Sequence, residues 1–326
     1  MTSKSRVLSA LLQAAGEAVS GQALAARLGI SRAAVWKAVA ALREDGYAIE
    51  AMPNRGYRLA AAEDILTSES VAALLPPESP WRVRVYPQLA STNRTLKQMA
   101  SEGEKSGAVI LAETQSQGRG RMGRDFFSPP GSGLYMSFLL RPATLLTGDA
   151  VLLTTAVSVA VARAIAASCG VQVGIKWVND LYLGDRKVCG ILTEAASDLE
   201  SGGIDSVVIG IGVNFCARQE QFPPELRETA RALFETPPAG VTRSRLAAAI
   251  LREAEGLEEA CRTRAFLEEY RARSILLGKP VRCTSARETF EAMAVDIDAQ
   301  GGLVVRRADG TQCALHTGEV TVRRMD

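Results

Sequence analysis

Apolar residues recur at helical spacing through the first sixty positions. Val7, Leu8, Leu11 and Leu12 share one face of a predicted helix. Ala18-Val19-Ser20-Gly21 interrupts it, and Ser20 is placed to cap a second helix over Gln22 to Leu28. There Leu24 and Leu28 fall at i and i+4. Gly29 stops that helix, because glycine accepts a left-handed backbone. Ser31 caps a third helix that runs to about Glu44, and Asp45-Gly46 ends it. Two short helices joined by a Gly-containing turn predict a helix-turn-helix. Tyr47, Ile49, Tyr57 and Leu59 flank a turn at Pro53-Asn54-Arg55-Gly56, so a β-hairpin wing follows.

Beyond a linker near Ala60–Asp64 the pattern alternates. A helix starts at Thr67 or Ser68 and ends before Pro76-Pro77. Val83–Tyr86, Val109–Glu113, Leu134–Leu140, Val173–Val178, Val188–Thr193 and Val207–Val213 read as strands. Ser91–Ala100, capped by Ser91 or Thr92, and Ala150–Ser168 read as helices, and helical pattern returns over Arg243–Arg273. This predicts an α+β or α/β body with a largely antiparallel sheet. After Gly278-Lys279-Pro280 the texture becomes short apolar runs separated by Gly301-Gly302 and Asp309-Gly310. A small β-barrel of about fifty residues is expected there. The domains are expected at 1–63, 64–276 and 277–326.

Composition narrows the chemistry. The chain has 326 residues, 38 Lys+Arg against 36 Asp+Glu, and one histidine, His316. A single histidine removes HExxH metalloproteases and multi-His metal sites. The near-balanced charge hides an asymmetry. Residues 1–60 carry eight cations against four anions, so a basic module precedes a slightly acidic body. Six scattered cysteines form no CxxC pair, which suits buried thiols in a reducing compartment. The N-terminus lacks the pattern of a signal peptide. The longest uncharged apolar stretch, between Asp149 and Arg163, is too short for a span of about 20 residues. A cytoplasmic protein with no membrane segment is expected.

Four segments carry candidate chemistry. In Gly118-Arg119-Gly120-Arg121-Met122-Gly123-Arg124, glycine permits close backbone approach, and arginine offers planar donors to phosphate or carboxylate. A loop closing over an anionic ligand fits; a solvated nucleic-acid-binding segment is the plainer alternative. Lys176-Trp177-Val178-Asn179-Asp180-Leu181-Tyr182 reads as a strand entering an Asn-Asp turn, which is a plain turn or a nucleotide and metal-phosphate site. In Gly184-Asp185-Arg186-Lys187-Val188-Cys189-Gly190-Ile191-Leu192-Thr193-Glu194, Lys187 is either a solvated turn residue or a cation entering the same cleft. Gly210-Ile211-Gly212-Val213-Asn214-Phe215 is an apolar strand whose glycines allow close approach.

With Ser91-Thr92-Asn93 in front, the order of these segments resembles the biotin–protein ligases. Ser31-Arg32-Ala33-Ala34-Val35-Trp36-Lys37 resembles the winged helix of those ligases that also repress biotin synthesis. The resemblance covers essentially the whole chain. It implies a central mixed α/β domain of class II synthetase-like type and an SH3-like C-terminal barrel. It implies ATP, Mg2+ and biotin, with biotinyl-5′-AMP as intermediate and corepressor. Ser91, Thr92, Asn93, Gln115, Arg119, Gly120, Arg121, Lys187 and Gly190 fall on its biotin positions. Lys176, Asn179, Asp180, Asn214 and Arg323 fall on its ATP positions, Asp180 also on its metal position. Arg121 and Lys187 carry the catalytic role, and residues 216–226, including Phe222, resemble the segment over adenine. The implied partners are a lysine of a biotin carboxyl carrier protein, operator DNA, and a second copy on adenylate binding. Gln22, Ser31, Arg32, Trp36, Lys37 and Arg55 would meet the DNA, with the third helix in the major groove. So small a basic excess calls for a dimer reading two half-sites.

The chain departs from the family at Ala90, where Asp is common, at Val178, where Pro is common, and at Met122, where a cation can stand. Alternatives with the same segments are a ligase whose winged helix does not repress, a non-enzymatic ligand-sensing transcription factor, and a lipoate-type ligase.

Overall fold

The computed structural model describes residues 2–14, 16–53, 55–60, 64–145, 147–197, 203–284, 288–316 and 321–324, the last of these and positions 147 and 197 for the backbone only. Helices α1 (Ser3–Gln13), α2 (Gly21–Leu28) and α3 (Arg32–Glu44) precede the hairpin β1 (Ile49–Met52) and β2 (Gly56–Leu59). Ser20 and Ser31 accept from the N–H groups of Ala23 and Ala34, so both cap as expected. Gly29 closes α2 with φ +60°. The wing is bonded to the α1–α2 turn through reciprocal Val19 and Tyr57 backbone bonds of 2.8 and 2.9 Å. Asn54, at its tip, lies outside the described residues. Val7, Leu8, Leu11, Leu24, Val35, Val39 and Leu42 make a core separate from the rest.

The middle of the chain builds one sheet. Its strands are β3 (Arg82–Tyr86), β4 (Ala108–Ala112), β5 (Gly133–Leu140), β6 (Gly174–Lys176), β7 (Asp180–Leu183), β8 (Arg186–Ser197) and β9 (Ile204–Asn214), in the order β3-β4-β5-β9-β8-β7-β6. Only β3 and β4 pair in parallel; the other ladders are antiparallel. Helix α4 (Ser68–Ala72) joins the first module to this sheet, and α5 (Thr92–Ser101) packs on β4, β5 and β9. Helix α6 (Ala150–Cys169) extends the expected apolar run past Arg163, which reaches Glu269 at 2.6 Å. By length and composition it could cross a membrane, but 72% of its apolar window is buried against the rest of the fold. That degree of cover marks a core helix.

The helical pattern over 243–273 is broken into α7 (Arg243–Ala254), α8 (Leu257–Thr263) and α9 (Phe266–Arg273), with Gly256 and a left-handed Arg264 at the breaks. The expected strand over Val173–Val178 shortens to β6, because Trp177–Asn179 turn the chain into β7. The last strands, β10 (Pro280–Thr284), β11 (Thr289–Ile297), β12 (Leu303–Arg306), β13 (Gln312–Leu315) and β14 (Thr321–Arg324), pair antiparallel in the order β13-β12-β11-β10-β14. Strand β13, Gln-Cys-Ala-Leu, has little apolar contrast. Val320 lies outside the described residues. Val281, Cys283, Ala294, Ile297, Leu303 and Val305 belong to the same hydrophobic core as the central sheet.

The expected linker ends in a buried ionic cluster. Arg243, 3% exposed, donates through Nε to Asp64 Oδ2 at 2.5 Å and through Nη1 to Glu113 Oε2 at 2.7 Å. Its Nη2 donates to the Asp64 carbonyl and to Glu113 Oε1. Positions 61–63 of that linker lie outside the described residues. The basic module is also bonded to the body: Ser9 Oγ donates to the Ala73 carbonyl at 2.8 Å, and the Tyr47 hydroxyl lies 3.0 Å from Thr67 Oγ1.

Candidate active site

A cavity of about 860 Å³ is lined in part by strands of the central sheet. Ser91, Thr92, Asn93, Gln115, Arg119, Gly120, Arg121, Lys176, Asn179, Asp180, Lys187, Gly190 and Asn214 all line it. The fold thus gathers into one chamber residues spread over more than one hundred positions. The side chain of Arg323 lies outside the described residues, and its backbone pairs with Arg282 in β10.

One end of the cavity is lined by hydroxyls and amides that are tightly bonded. Ser91 holds the N-cap position of α5 but makes no capping bond with its side chain. Thr92 donates from its backbone N–H (2.8 Å) and its hydroxyl (3.2 Å) to Gln115 Oε1. Gln115 Nε2 continues to Ser128 Oγ at 3.0 Å. Ser137, fully buried on β5, lies 2.6 Å from Asn93 Oδ1 and 2.7 Å from Thr92 Oγ1. Asn93 Nδ2 reaches Glu194 Oε2 at 2.9 Å. The amide of Asn93 can sit there because β9 has glycine opposite: a Cβ on Gly210 would stand 2.0 Å from Asn93 Oδ1. On the same strand, a Cβ on Gly212 would meet the Phe126 ring at 2.6 Å. Ser137, Glu194 and Phe126 were given no role by the sequence alone. Glycines two apart on an apolar strand were the available signal that something packs against its face.

The other end is charged. Arg121 Nη1 donates to Asn179 Oδ1 at 3.1 Å, and Asn179 Nδ2 donates to the Ile191 carbonyl at 2.7 Å. Burial pushes the Arg121 guanidinium below its usual value, and nearby Asp180 opposes this; arginine remains charged throughout. Lys187 Nζ stands 2.6 Å from Asp180 Oδ1. That attraction is ionic, since this solvent-shielded oxygen accepts no well-directed hydrogen bond. Lys187 is therefore no solvated turn residue: its backbone is bonded to Thr229 and Arg231 and its ammonium faces the cavity. Lys176 Nζ lies 5.4 Å from the centre of the Tyr182 ring. Burial pushes the Tyr182 phenol up to about 12. Asn214 Nδ2 donates to the Arg231 carbonyl at 3.2 Å, which ties the 229–234 strap to β9. Phe222, 3% exposed, lines the cavity and packs on Phe127 with ring centres 6.0 Å apart.

The Gly/Arg loop is a short hairpin. Gly120 N–H donates to the Arg124 carbonyl at 2.7 Å and Phe126 N–H to the Gly118 carbonyl at 2.9 Å. Its tip is Met122, which has φ +57° and is 63% exposed. Arg119 and Arg124 are exposed beside it, while Arg121 turns inward. In the basic module, Gln22, Ser31, Arg32, Trp36, Lys37 and Arg55 are all exposed, Trp36 at 63%. Among them, the Ser31 hydroxyl is already engaged in capping α3.

The Asp180 carboxylate lines the cavity, with its solvent-shielded Oδ1 paired ionically to Lys187 and accepting no directed hydrogen bond. Among the described residues, no cluster of three or more His, Cys, Asp or Glu surrounds it. That donor set suits Mg2+, which is commonly held by one or two carboxylates together with substrate phosphates and water.

Comparison with known proteins agrees along the chain. Residues 4–58 match a helix-turn-helix domain, residues 85–214 the biotin/lipoate A/B protein ligase family, and residues 276–323 the biotin protein ligase C-terminal domain. The bifunctional ligase/repressor BirA of Bacillus spizizenii is 33% identical over 91% of this chain and 92% of its own length. Its Escherichia coli namesake is 32% identical over 96% and 95%. A biotin–acetyl-CoA-carboxylase ligase of Mycobacterium tuberculosis is 31% identical over 71% of this chain and 85% of its own. In fold, the biotin protein ligase of Aquifex aeolicus superposes with a TM-score of 0.64, at 24% identity, over 75% of this chain and 99% of that one. With a helix-turn-helix ahead of the ligase fold and its C-terminal domain, the chain belongs to the bifunctional biotin–protein ligase/repressor family.

Proposed function

We propose that the protein joins biotin to a lysine of a biotin carboxyl carrier protein at the expense of ATP, and that it represses transcription in response to biotin. The observation that carries the ligase reading is the two-ended cavity. A pre-bonded network of hydroxyls and amides at one end suits an uncharged ring with polar edges. A cationic end with Arg121, Lys176 and Lys187 suits a carboxylate beside phosphates. We assign 1–63 to a DNA reader, 64–276 to the ligase and 277–326 to a C-terminal domain.

The chemistry needs no histidine. A carboxylate is already ionised at neutral pH. A biotin carboxylate oxygen attacks the α-phosphorus of ATP, and pyrophosphate leaves. The acceptor lysine amine then attacks the acyl carbon of biotinyl-5′-AMP, loses a proton, and AMP leaves. No covalent enzyme intermediate is required. The protein's part is to align two anions and neutralise developing charge. Arg121 and Lys187 do this from beside the Asn179–Asp180 turn. Ser91, Thr92, Asn93, Gln115 and Gly190 shape the biotin end, and Arg119 and Gly120 belong to the hairpin that covers it. Lys176, Asn179, Asp180, Asn214 and Arg323 are assigned to the nucleotide. Mg2+ at Asp180 would supply charge neutralisation at the phosphates. Excluding water under the Gly/Arg hairpin protects the mixed anhydride.

For repression, α3 presents Arg32, Trp36 and Lys37 to the major groove, and Arg55 of the wing and Gln22 of α2 reach the backbone. Adenylate binding favours a homodimer that reads two half-sites. Six free thiols suit a reducing cytoplasm.

The deciding assay is pyrophosphate release and label transfer with biotin against lipoate. Transfer of biotin alone is expected; transfer of lipoate, or no release, sinks the ligase reading. Operator affinity that does not change on adding biotin plus ATP sinks the repressor reading.

A further inference from the structure

One turn of the C-terminal sheet, Asp298–Gly302, reaches Trp177 in the cavity wall. Asp298 shapes the turn. Its Oδ1 accepts from the backbone N–H groups of Gln300 at 2.9 Å and Gly302 at 2.8 Å. Its own N–H donates to the Gly302 carbonyl at 2.9 Å. Its Oδ2 lies 3.1 Å from His316 Nε2. Gly301 has φ +79°, and a Cβ there would stand 2.9 Å from Thr155 Oγ1 and 3.3 Å from Leu152 Cα in α6. Glycine alone lets the turn lie this close with that backbone. The turn so placed aims the Gly301 carbonyl at Trp177, whose Nε1–H donates to it at 2.9 Å in a buried setting.

Trp177 lines the cavity and begins the turn that presents Asp180. Every residue of that turn is held. The Val178 carbonyl accepts from Ser158 Oγ and from the Tyr270 hydroxyl, each at 3.2 Å. Asn179 is bonded at both ends of its amide. Trp177 is held by a different domain. By contrast, the side-chain bonds described for Thr92, Asn93, Gln115 and Ser137 run only to the central sheet, α5 and the loop before β5.

We propose that the Asp298–Gly302 turn, acting through the Trp177 indole N–H, is a positioning element for Asp180, and so sets the nucleotide-phosphate end of the cavity while leaving the biotin end alone. The proposal rests on the ligase reading above. Trp177 and Asp298 are positioning residues: neither supplies a reacting group. A buried indole N–H ordinarily has a partner. Losing one such bond corresponds to about a threefold to tenfold effect on what it positions.

The test uses the full-length protein with Trp177→Phe, Asp298→Ala and the double variant. Asp298→Ala removes the Oδ1 acceptor of the turn and leaves the cavity wall intact, so it decides the matter should Trp177→Phe fold poorly. ATP KM, Mg2+ half-saturation and biotin affinity by calorimetry are measured separately. The expected result is an ATP KM and Mg2+ requirement raised about threefold to tenfold, with biotin affinity within about twofold of the parent. The double variant should be no worse than Trp177→Phe, since both cut one link. Equal losses for biotin and ATP, no change in either, or additive effects would overturn the proposal. Absence of pyrophosphate release from the parent would instead strike the ligase reading; calorimetric ATP–Mg2+ affinity of the same proteins then decides the positioning claim.

Discussion

The two functional surfaces of this protein are made in opposite ways. The face of α3 is exposed and almost free of internal bonds: Arg32, Trp36 and Lys37 point to solvent, and only Ser31 is engaged, as a cap. The ligand cavity is the reverse. Thr92, Asn93, Gln115, Ser137 and Asn179 are buried or half-buried and bonded to one another or to strand backbones before any ligand arrives. A DNA surface reads a partner that brings its own shape and charge, so it needs only presentation and cations. A cavity for a small molecule must hold donors in place, because polar groups left loose in a buried site cost affinity and alignment. A single change is therefore expected to spread through the bonded network it belongs to in the cavity, and to stay local on the reader.

The largest break in that contrast is Arg121→Ala. It removes the buried cation beside Asp180 and frees Asn179 Oδ1. Adenylate formation, read by pyrophosphate release, should fall about a hundredfold to a thousandfold, and adenylate that does form should escape early. Near-parental turnover would mean that the inward arginine plays no electrostatic part.

Gly210→Ala comes next. The added methyl would stand 2.0 Å from Asn93 Oδ1, so the Asn93–Ser137 pair must separate. A loss of about 1–3 kcal/mol in stability is expected, together with weaker biotin binding. Thermal unfolding and biotin calorimetry check both. If stability falls and biotin affinity holds, the network is a scaffold and does not touch the ligand.

On the reader, Lys37→Ala should weaken operator binding across sequences and lower the salt slope by about 1. Its effect should be confined to DNA, as measured by fluorescence anisotropy against salt concentration. A matching fall in ligase turnover would mean that the reader and the cavity are not separate.

The smallest effect lies outside the working pH range. Tyr135 and Tyr182 are pushed up to about 12 by burial. Their folded-state values are raised, so the stability they contribute is present below about 10, the ordinary tyrosine value, and is lost as pH rises toward 12. Ultraviolet phenolate titration should show a late-ionising fraction that reverts to the ordinary value in denaturant. A single ordinary transition would show that both rings are open to water.

Legibility followed the range of the forces involved. The reader could be drawn from sequence because capping serines, Gly29 and i, i+4 leucines act within a few residues. The ligand segments were recognisable as a set, yet the division of labour among them was not. Asn93, Asn179 and Asn214 look alike in a motif; only their placement shows amides already bonded to Glu194, Ile191 and Arg231. Lys187 could not be told from a solvated turn lysine until Asp180 and the 229–231 strap stood beside it. Arg243 and Asp64 gave no local signal, since their attraction joins residues 179 positions apart.

The helix-turn-helix, the alternation of strands and helices, and the residue types that the chemistry requires are all written in the chain's local pattern. These follow from backbone preference and periodic burial, which are local. Tertiary structure decided which of those residues meet. It brought β9 against α5 so that glycine admits an amide. It merged the C-terminal strands into the central core, and it set the Gly301 carbonyl on Trp177. Such contacts depend on packing between elements distant in the chain, where a tenth of a nanometre separates a bond from a clash, and no short-range pattern encodes that distance.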